Sequence, residues 1–357
     1  MRIWSYELLD HLDQSLGMLD GVTGGRGEIV AQSPLGGSAS ISLDHRQDID
    51  WMSHRVRVIF TETDQEPGPW WEVDAADRAP RTVQSFAWGT YLLTSPKEKH
   101  TPFHLGYDVG LLTKMSILHE DTVEGRYSLA ESTPIIPAVV ELIRSTGEAR
   151  IAVTPSDAVL TAGMTWEAGE TKLRIINDLL QAAGYWSLWC DGSGQFRVEP
   201  YVDPSLRPVA FTFEHGERSL HLPDWDREQD HTSVPNRFLA VGVGDEEHEP
   251  LVGVATNENP NSPYSFQARG RWITAKEEGV EGEAQDEFDA YAERKLRDAM
   301  NPVSRLRVSH DLMQLNPNDL VAFTPEDQRQ RLATVQRMST SFTFDAVIAA
   351  EWRQVND

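Results

Sequence analysis

A chain of 357 residues, 39% hydrophobic and 25% charged, is long enough for two or three domains that each bury a core. Its longest apolar stretch, Ile135 to Ile143, is interrupted by Pro137 and Glu141 and is too short to span a bilayer. The net charge of −24, from 56 acidic and 32 basic residues, argues against nucleic-acid binding, which draws its affinity from cations set against phosphates. Such acidity serves solubility, or a wall that DNA must pass without sticking.

The amino terminus, Met1-Arg2-Ile3-Trp4-Ser5-Tyr6, shows no apolar core followed by a small-residue cleavage site, so no secretory signal is expected and assembly in the cytoplasm fits. Cys190 stands alone, which excludes an internal disulfide and any Cys-x-x-Cys site. The first hundred or so residues read as β structure. Ala39 to Leu43 and Arg55 to Phe60 are short strand-like runs, separated by Pro34-Leu35-Gly36-Gly37 and Glu66-Pro67-Gly68-Pro69. In the second run Val56, Val58 and Phe60 fall on one face and Arg55, Arg57 and Ile59 on the other, as a half-buried strand requires. Phe86 to Thr94 and Phe103 to Val109 add two more, giving an antiparallel barrel or sandwich over residues 1–122.

Residues 123–204 read as a small α/β module. Pro137 suits the first turn of a helix through Val139, Val140, Leu142 and Ile143, stopping at Gly147. A second helix is predicted from Glu170 to Gly184, with Leu173, Ile176, Leu180 and Ala183 as its apolar stripe and Gly184 as its left-handed stop. Tyr185 to Cys190 and Gln195 to Glu199, joined by Asp191-Gly192-Ser193-Gly194, read as a hairpin.

Residues 205–357 return to strands: Val209 to Phe213, Arg237 to Val243, Leu306 to His310, Leu320 to Thr324, Leu332 to Arg337 and Thr340 to Trp352. One helix interrupts them near 284–300, with Phe288, Tyr291, Ala292, Leu296 and Ala299 along one side, so this second β domain can be discontinuous. The chain is thus expected to be mainly β, of the α+β class. Arg57-Val58-Ile59-Phe60-Thr61 is echoed by Leu320-Val321-Ala322-Phe323-Thr324, each followed by a loop and two strands, a faint sign of duplication.

Chemistry-bearing motifs are sparse. No Gly-x-Ser-x-Gly elbow, His-Glu-x-x-His helix or phosphate loop occurs, and Gly242-Val243-Gly244 runs into Asp245-Glu246-Glu247, whose carboxylates would repel a pyrophosphate. The densest polar stretch, Phe213 to His231, carries His215, His221 and His231 among acids at spacings that match no recurring metal site, and reads as a solvated connection. His100-Thr101-Pro102-Phe103-His104 reads as a surface turn. Trp166-Glu167 and Trp225-Asp226 each set an acid beside an aromatic, the ingredients of a glycosidase whose two carboxylates stand roughly 5 to 10 Å apart.

Thr165-Trp166-Glu167-Ala168-Gly169-Glu170-Thr171-Lys172-Leu173-Arg174-Ile175-Ile176-Asn177-Asp178-Leu179-Leu180, continued by Ser187-Leu188-Trp189-Cys190-Asp191-Gly192-Ser193-Gly194-Gln195-Phe196-Arg197, resembles a segment of minor tail proteins from siphophages of actinobacteria. Trp4 to Leu9, Leu19-Asp20-Gly21-Val22-Thr23-Gly24-Gly25, Pro235-Asn236-Arg237 and Pro260 to Ser265 resemble the same family. Asn316-Pro317-Asn318-Asp319-Leu320-Val321 is similar to tail hub proteins, so the resemblance covers nearly the whole chain. It implies a non-enzymatic homotrimeric hub at the virion tail tip, assembled in the host cytoplasm. Each subunit would carry two tube-like antiparallel β-barrel domains flanking the α/β module, so that three chains present six barrels to a six-fold tube.

The resemblance further implies a distal tail protein or tail tube protein, the tape-measure protein and other tail-tip or fibre proteins as partners, with DNA only in transit. It carries over no catalytic, cofactor-binding or metal residue, and no cofactor. Because the sequence ends at Asp357, any fibre, needle or lysin domain is expected on other chains. Competing readings are a tail-associated peptidoglycan or polysaccharide hydrolase using Glu167 or Asp226, and a receptor-binding module.

Overall fold

The computed structural model describes residues 1–357 except 32, 45–47, 65–81, 102–103, 230, 243–249, 281–283, 301–303 and 356–357. The fold is mainly β, 46% strand against 15% helix. Packing divides the chain into two units, Met1–Trp225 with Arg307–Trp352, and Asp226–Leu306 with Arg353–Asp357.

In the first unit Arg2–Leu9 pairs antiparallel with Ser15–Met18 and with Arg55–Thr63, and Arg55–Thr63 pairs with Thr82–Leu93. Thr82–Leu93 pairs with His104–Thr113, which meets Gly37–Leu43 and then Val22–Val30. Val56, Val58 and Phe60 are fully buried, while Arg57 and Ile59 on the opposite face are partly exposed, so the predicted alternation holds. The Trp4 ring lies 5.1 Å from that of Phe60 and 4.8 Å from that of Phe342, which places an aromatic cluster across this layer. Both Phe103 and the Glu66-Pro67-Gly68-Pro69 stretch lie outside the described residues.

Val22–Val30 has a second neighbour. It also pairs antiparallel with Arg331–Ser341, with Val30 opposite Arg337 and Arg26 opposite Ser341, so the N-terminal and C-terminal β segments share one sheet. Arg331–Ser341 continues to Leu320–Thr324, which runs parallel to Val209–Glu214. The run predicted as one strand from Thr340 to Trp352 is broken: the chain reverses between Ser341 and Ile348, where the Thr340 hydroxyl donates to the Val347 carbonyl at 3.0 Å. Ser341 to Asp345 alternates like a strand, yet Phe342 is buried and Phe344 is 77% exposed, so the two phenylalanines share no buried face.

The intervening module packs three helices, α1 (Met115–Glu120), α2 (Ile135–Arg144) and α3 (Lys172–Ala182), around one apolar core. Pro137 sits in the first turn of α2, where a missing amide hydrogen costs nothing. In α3 the Thr171 hydroxyl caps the helix by accepting from the Arg174 amide at 3.2 Å, and Gly184 just past its end takes φ +71°. Leu173, Ile176 and Leu180 are buried as their spacing predicts, and Ile175 and Leu179 widen the stripe. Ile151–Val153 runs parallel to Phe196–Val198, which forms the predicted hairpin with Trp189–Cys190. A second pair, Tyr127–Leu129 with Met164–Trp166, completes the module.

The second unit centres on Arg237–Gly242, antiparallel to Val252–Thr256 and parallel to Thr274–Val280. A single turn, α4 (Phe266–Arg269), precedes the last strand, and α5 (Gln285–Ala299) covers the sheet with Phe288, Ala292 and Leu296. The Arg237 run predicted within the second β domain thus builds a small sheet of its own. Residues 243–249, which hold the rest of the glycine and acid run, lie outside the described residues.

Candidate functional site

Four charges meet inside the first unit. Asp13 comes from the turn after Arg2–Leu9, held at φ +62°; Arg55 opens its strand, Lys114 is the N-cap of α1, and Glu148 precedes Ile151. Arg55 reaches Asp13 at 2.8 Å and Glu148 at 2.7 Å, and the Lys114 ammonium reaches each of the same two carboxylates at 2.6 Å. Lys114 is wholly buried and the other three are at most 7% exposed, so two acids and two bases neutralise one another away from water. Burial opposes charge on Asp13, but hydrogen bonds and the charges of Lys114 and Arg55 outweigh it and hold the carboxyl below its ordinary range. Arg55 is likewise penalised by burial, and its two carboxylate partners raise it.

This cluster fastens the hairpin of the module to the strand layer. Lys114 donates to the Gly194 carbonyl at 2.9 Å and lies 5.3 Å from the centre of the Phe196 ring. Arg57 donates to the Ser193 carbonyl at 3.2 Å and the Thr90 hydroxyl to the Gly192 carbonyl at 3.0 Å. A side chain at Gly192 would overlap the Ala87 carbonyl, so glycine sets how closely the turn approaches. Each carboxylate is held by two cations, an arrangement that locks structure.

Beside the cluster a cleft of about 430 Å³ is walled by Trp88, Tyr91, Met115, Trp186, Leu188 and Cys190. Burial pushes the Cys190 thiol up to about 12 and raises the Tyr91 phenol, so both stay protonated near neutrality and the thiol lacks the thiolate that a nucleophile needs. Asp13, Arg55, Lys114 and Glu148 carry no local motif. Their one sequence signal is a lysine within the apolar run Leu111-Leu112-Thr113-Lys114-Met115.

Neither Glu167 nor Asp226 is among the residues that line this cleft. The Trp166 indole donates to Asp178 at 2.8 Å, while the Glu167 side chain is 84% exposed, 3.9 Å from Arg126. Asp226 is exposed, and its neighbour Trp225 donates to Glu326 at 3.1 Å. The stretch expected as a solvated connection is instead largely strand: His221–Gln229 is β, with His221 only 6% exposed. Its inward positions, His221 and Trp225, are aromatic, and Leu222, Pro223 and Asp224 between them are exposed. His215 lies 3.7 Å from Glu326, His231 stacks on Tyr264, and His100 contacts Glu98 at 3.2 Å, while Pro102 and Phe103 are outside the described residues. Among the described residues no group of three or more His, Cys, Asp or Glu is placed to hold a metal ion, and no helix is long and apolar enough to cross a membrane.

No family model and no curated protein matches the sequence. Solved structures do share its fold. A tail protein from Neisseria meningitidis is similar over 98% of this chain and 96% of its own, at a TM-score of 0.64 and 11% identity. The 43 kDa tail protein of prophage MuSo2 from Shewanella oneidensis is similar over 99% and 98%, at 0.63 and 9%. A prophage tail protein from Listeria monocytogenes covers 99% and 94%, at 0.50 and 13%. At these identities the likeness is one of fold.

Proposed function

We propose that the chain is a structural, non-enzymatic subunit of a phage tail tip, a hub that forms a trimeric ring between the six-fold tail tube or distal tail protein and the rest of the tip. The observation that carries this reading is the end-to-end match in fold to tail proteins from Neisseria and Shewanella, which spans almost the whole of both partners. A likeness confined to one β domain would point only to a common architecture, whereas one that includes the inserted module and the second unit fits a shared assembly role.

The ring encloses the tape-measure protein and then conducts DNA. A net charge of −24 per subunit supports that passage, because acidic walls repel phosphates over a screening length of roughly 8 Å. The subunit assembles in the host cytoplasm and resides in the virion. Native mass spectrometry of the purified chain should give a species of three times the 40.1 kDa subunit, and virion tips should show density for three copies about one axis. A stable monomer that never enters tails sinks the proposal. Release of sugar or peptide fragments from host cell walls, lost in Glu167→Gln or Asp226→Asn, would replace it with a hydrolase.

A further inference from the structure

His221 and His310 sit opposite each other on neighbouring strands of the first unit. The Asp311 amide donates to the Leu220 carbonyl at 2.8 Å, and seven residues back along one strand and seven forward along the other Arg227 donates to Ser304 at 3.3 Å, so the strands His221–Gln229 and Ser304–His310 run antiparallel. With Leu220 opposite Asp311, the next rung is His221 opposite His310, and both point inward, 6% and 0% exposed. Their walls are aromatic: His310 lies 4.9 Å from the Phe213 ring and 5.7 Å from that of Trp352, and His221 lies 5.1 Å from that of Phe323.

The protonation state follows from hydrogen bonding. Nδ1 of His221 is 2.8 Å from the Leu222 carbonyl, and Nδ1 of His310 is 2.7 Å from the Asp311 carbonyl. A carbonyl only accepts, so each Nδ1 carries a proton, and the lowered His310 ring keeps its Nε2 lone pair free near neutrality. Both Nε2 atoms are buried without a hydrogen-bond partner. Buried polar atoms are almost always satisfied in folded proteins, so two unpartnered ring nitrogens on one rung are unusual.

We propose that the His221–His310 rung is an acid-sensitive clasp on the two strands that carry the chain out of the first unit and back into it. At neutral pH the His310 ring is uncharged, and both rings pack as aromatics. On acidification the His310 Nε2 takes up a proton, and charge appears in a space walled by Phe213, Phe323, Trp352 and the facing His221 ring.

The ionisable surroundings do little to relieve this. Asp311, which follows His310, favours its charge but is engaged by Arg2 at 2.6 Å. Glu326 feels both His215 and His221, yet is tied to the Trp225 indole. Arg331 lies over Trp225 and is paired with Asp327. On the surrounding strands Glu214, Asp224, Arg305, Arg307, Glu351 and Arg353 take outward positions. Burial is accordingly the largest influence on His310, followed by the opposing pull of Asp311, and it lowers the ring to about 4.

The sign follows from linkage. A ring near 4 when clasped and near the ordinary 6.5 when open takes up its proton first in the open form, so opening is favoured as pH falls from about 7 towards 4 and levels off below.

Hydrogen exchange of the full chain, corrected for intrinsic rates, tests this between pH 7.5 and 4.5. Protection of the His221–Gln229 and Ser304–His310 amides should fall by up to about tenfold per pH unit for each proton taken up, while α3 amides hold. The His221→Gln, His310→Gln double variant should flatten that profile; an identical profile in variant and parent overturns the proposal. If the variant does not fold, ring NMR of the parent decides. A His310 ring that remains neutral with the proton on Nδ1 down to pH 5.5 supports the clasp, and one that titrates near 6.5 while both strands stay protected refutes it.

Discussion

Two parts of this protein cover a three-stranded mixed sheet with helix, and they do so with unequal means. In the α/β module the sheet of Ile151–Val153, Phe196–Val198 and Trp189–Cys190 belongs to a core of 19 buried hydrophobic residues, most of them large and aliphatic. In the second unit the sheet of Arg237–Gly242, Val252–Thr256 and Thr274–Val280 has seven among the described residues, of which Ala240, Ala255 and Ala292 contribute little area and Phe238 and Phe288 much of it. The module is also clamped by the Asp13, Arg55, Lys114 and Glu148 cluster. A thick core plus an ionic clamp ties the module's fate to its unit, whereas a thin core leaves the second unit able to open by itself.

The largest effect is expected at the clamp. Lys114→Ala leaves two carboxylates buried with only Arg55 between them and should cost about 3–5 kcal/mol, read as a fall in the main thermal transition. A loss under about 1 kcal/mol would mean that the module holds its place without the cluster.

Phe288→Ala should cost about 3 kcal/mol, with faster hydrogen exchange confined to the second unit and the first unit's amides unchanged. Exchange that accelerates in both units equally would show that they unfold as one. Thr171→Ala, which removes the α3 cap, should cost about 1 kcal/mol in chemical denaturation, felt by the module's helices. At the small end, Glu167→Gln should leave the melting temperature and tail assembly unchanged, since that side chain is 84% exposed and meets Arg126 at 3.9 Å.

The same contrast explains what the sequence made legible. The α3 helix, with Leu173, Ile176 and Leu180 in register between Thr171 and Gly184, is specified by neighbours a few residues away, so periodicity and caps suffice. The Val56, Val58 and Phe60 face and the Asp191 to Gly194 turn are local in the same sense. Val22–Val30, with its Gly24, Gly25 and Gly27, has poor strand propensity and is made a strand by partners on both sides. The strand at His221–Gln229 was hidden because its inward residues are a histidine and a tryptophan amid acids. Arg55 stands at an outward strand position yet is buried, because Glu148 comes from 93 residues away. Nothing local encodes that meeting, nor the small sheet around Arg237.

Val22–Val30 also constrains the order of events during synthesis. One of its edges is filled by Gly37–Leu43, made moments later, and the other by Arg331–Ser341, where Arg337 pairs with Glu28 across 309 residues of sequence. At roughly 5–20 residues per second the ribosome needs some tens of seconds to supply that second partner. Until then a glycine-rich strand edge stays open to any passing β segment, including one from a neighbouring nascent copy. Folding of the N-terminal layer is therefore completed only after the C-terminal strand emerges, and chains stalled or truncated before Arg331 should be prone to aggregation even though all the N-terminal strands are present.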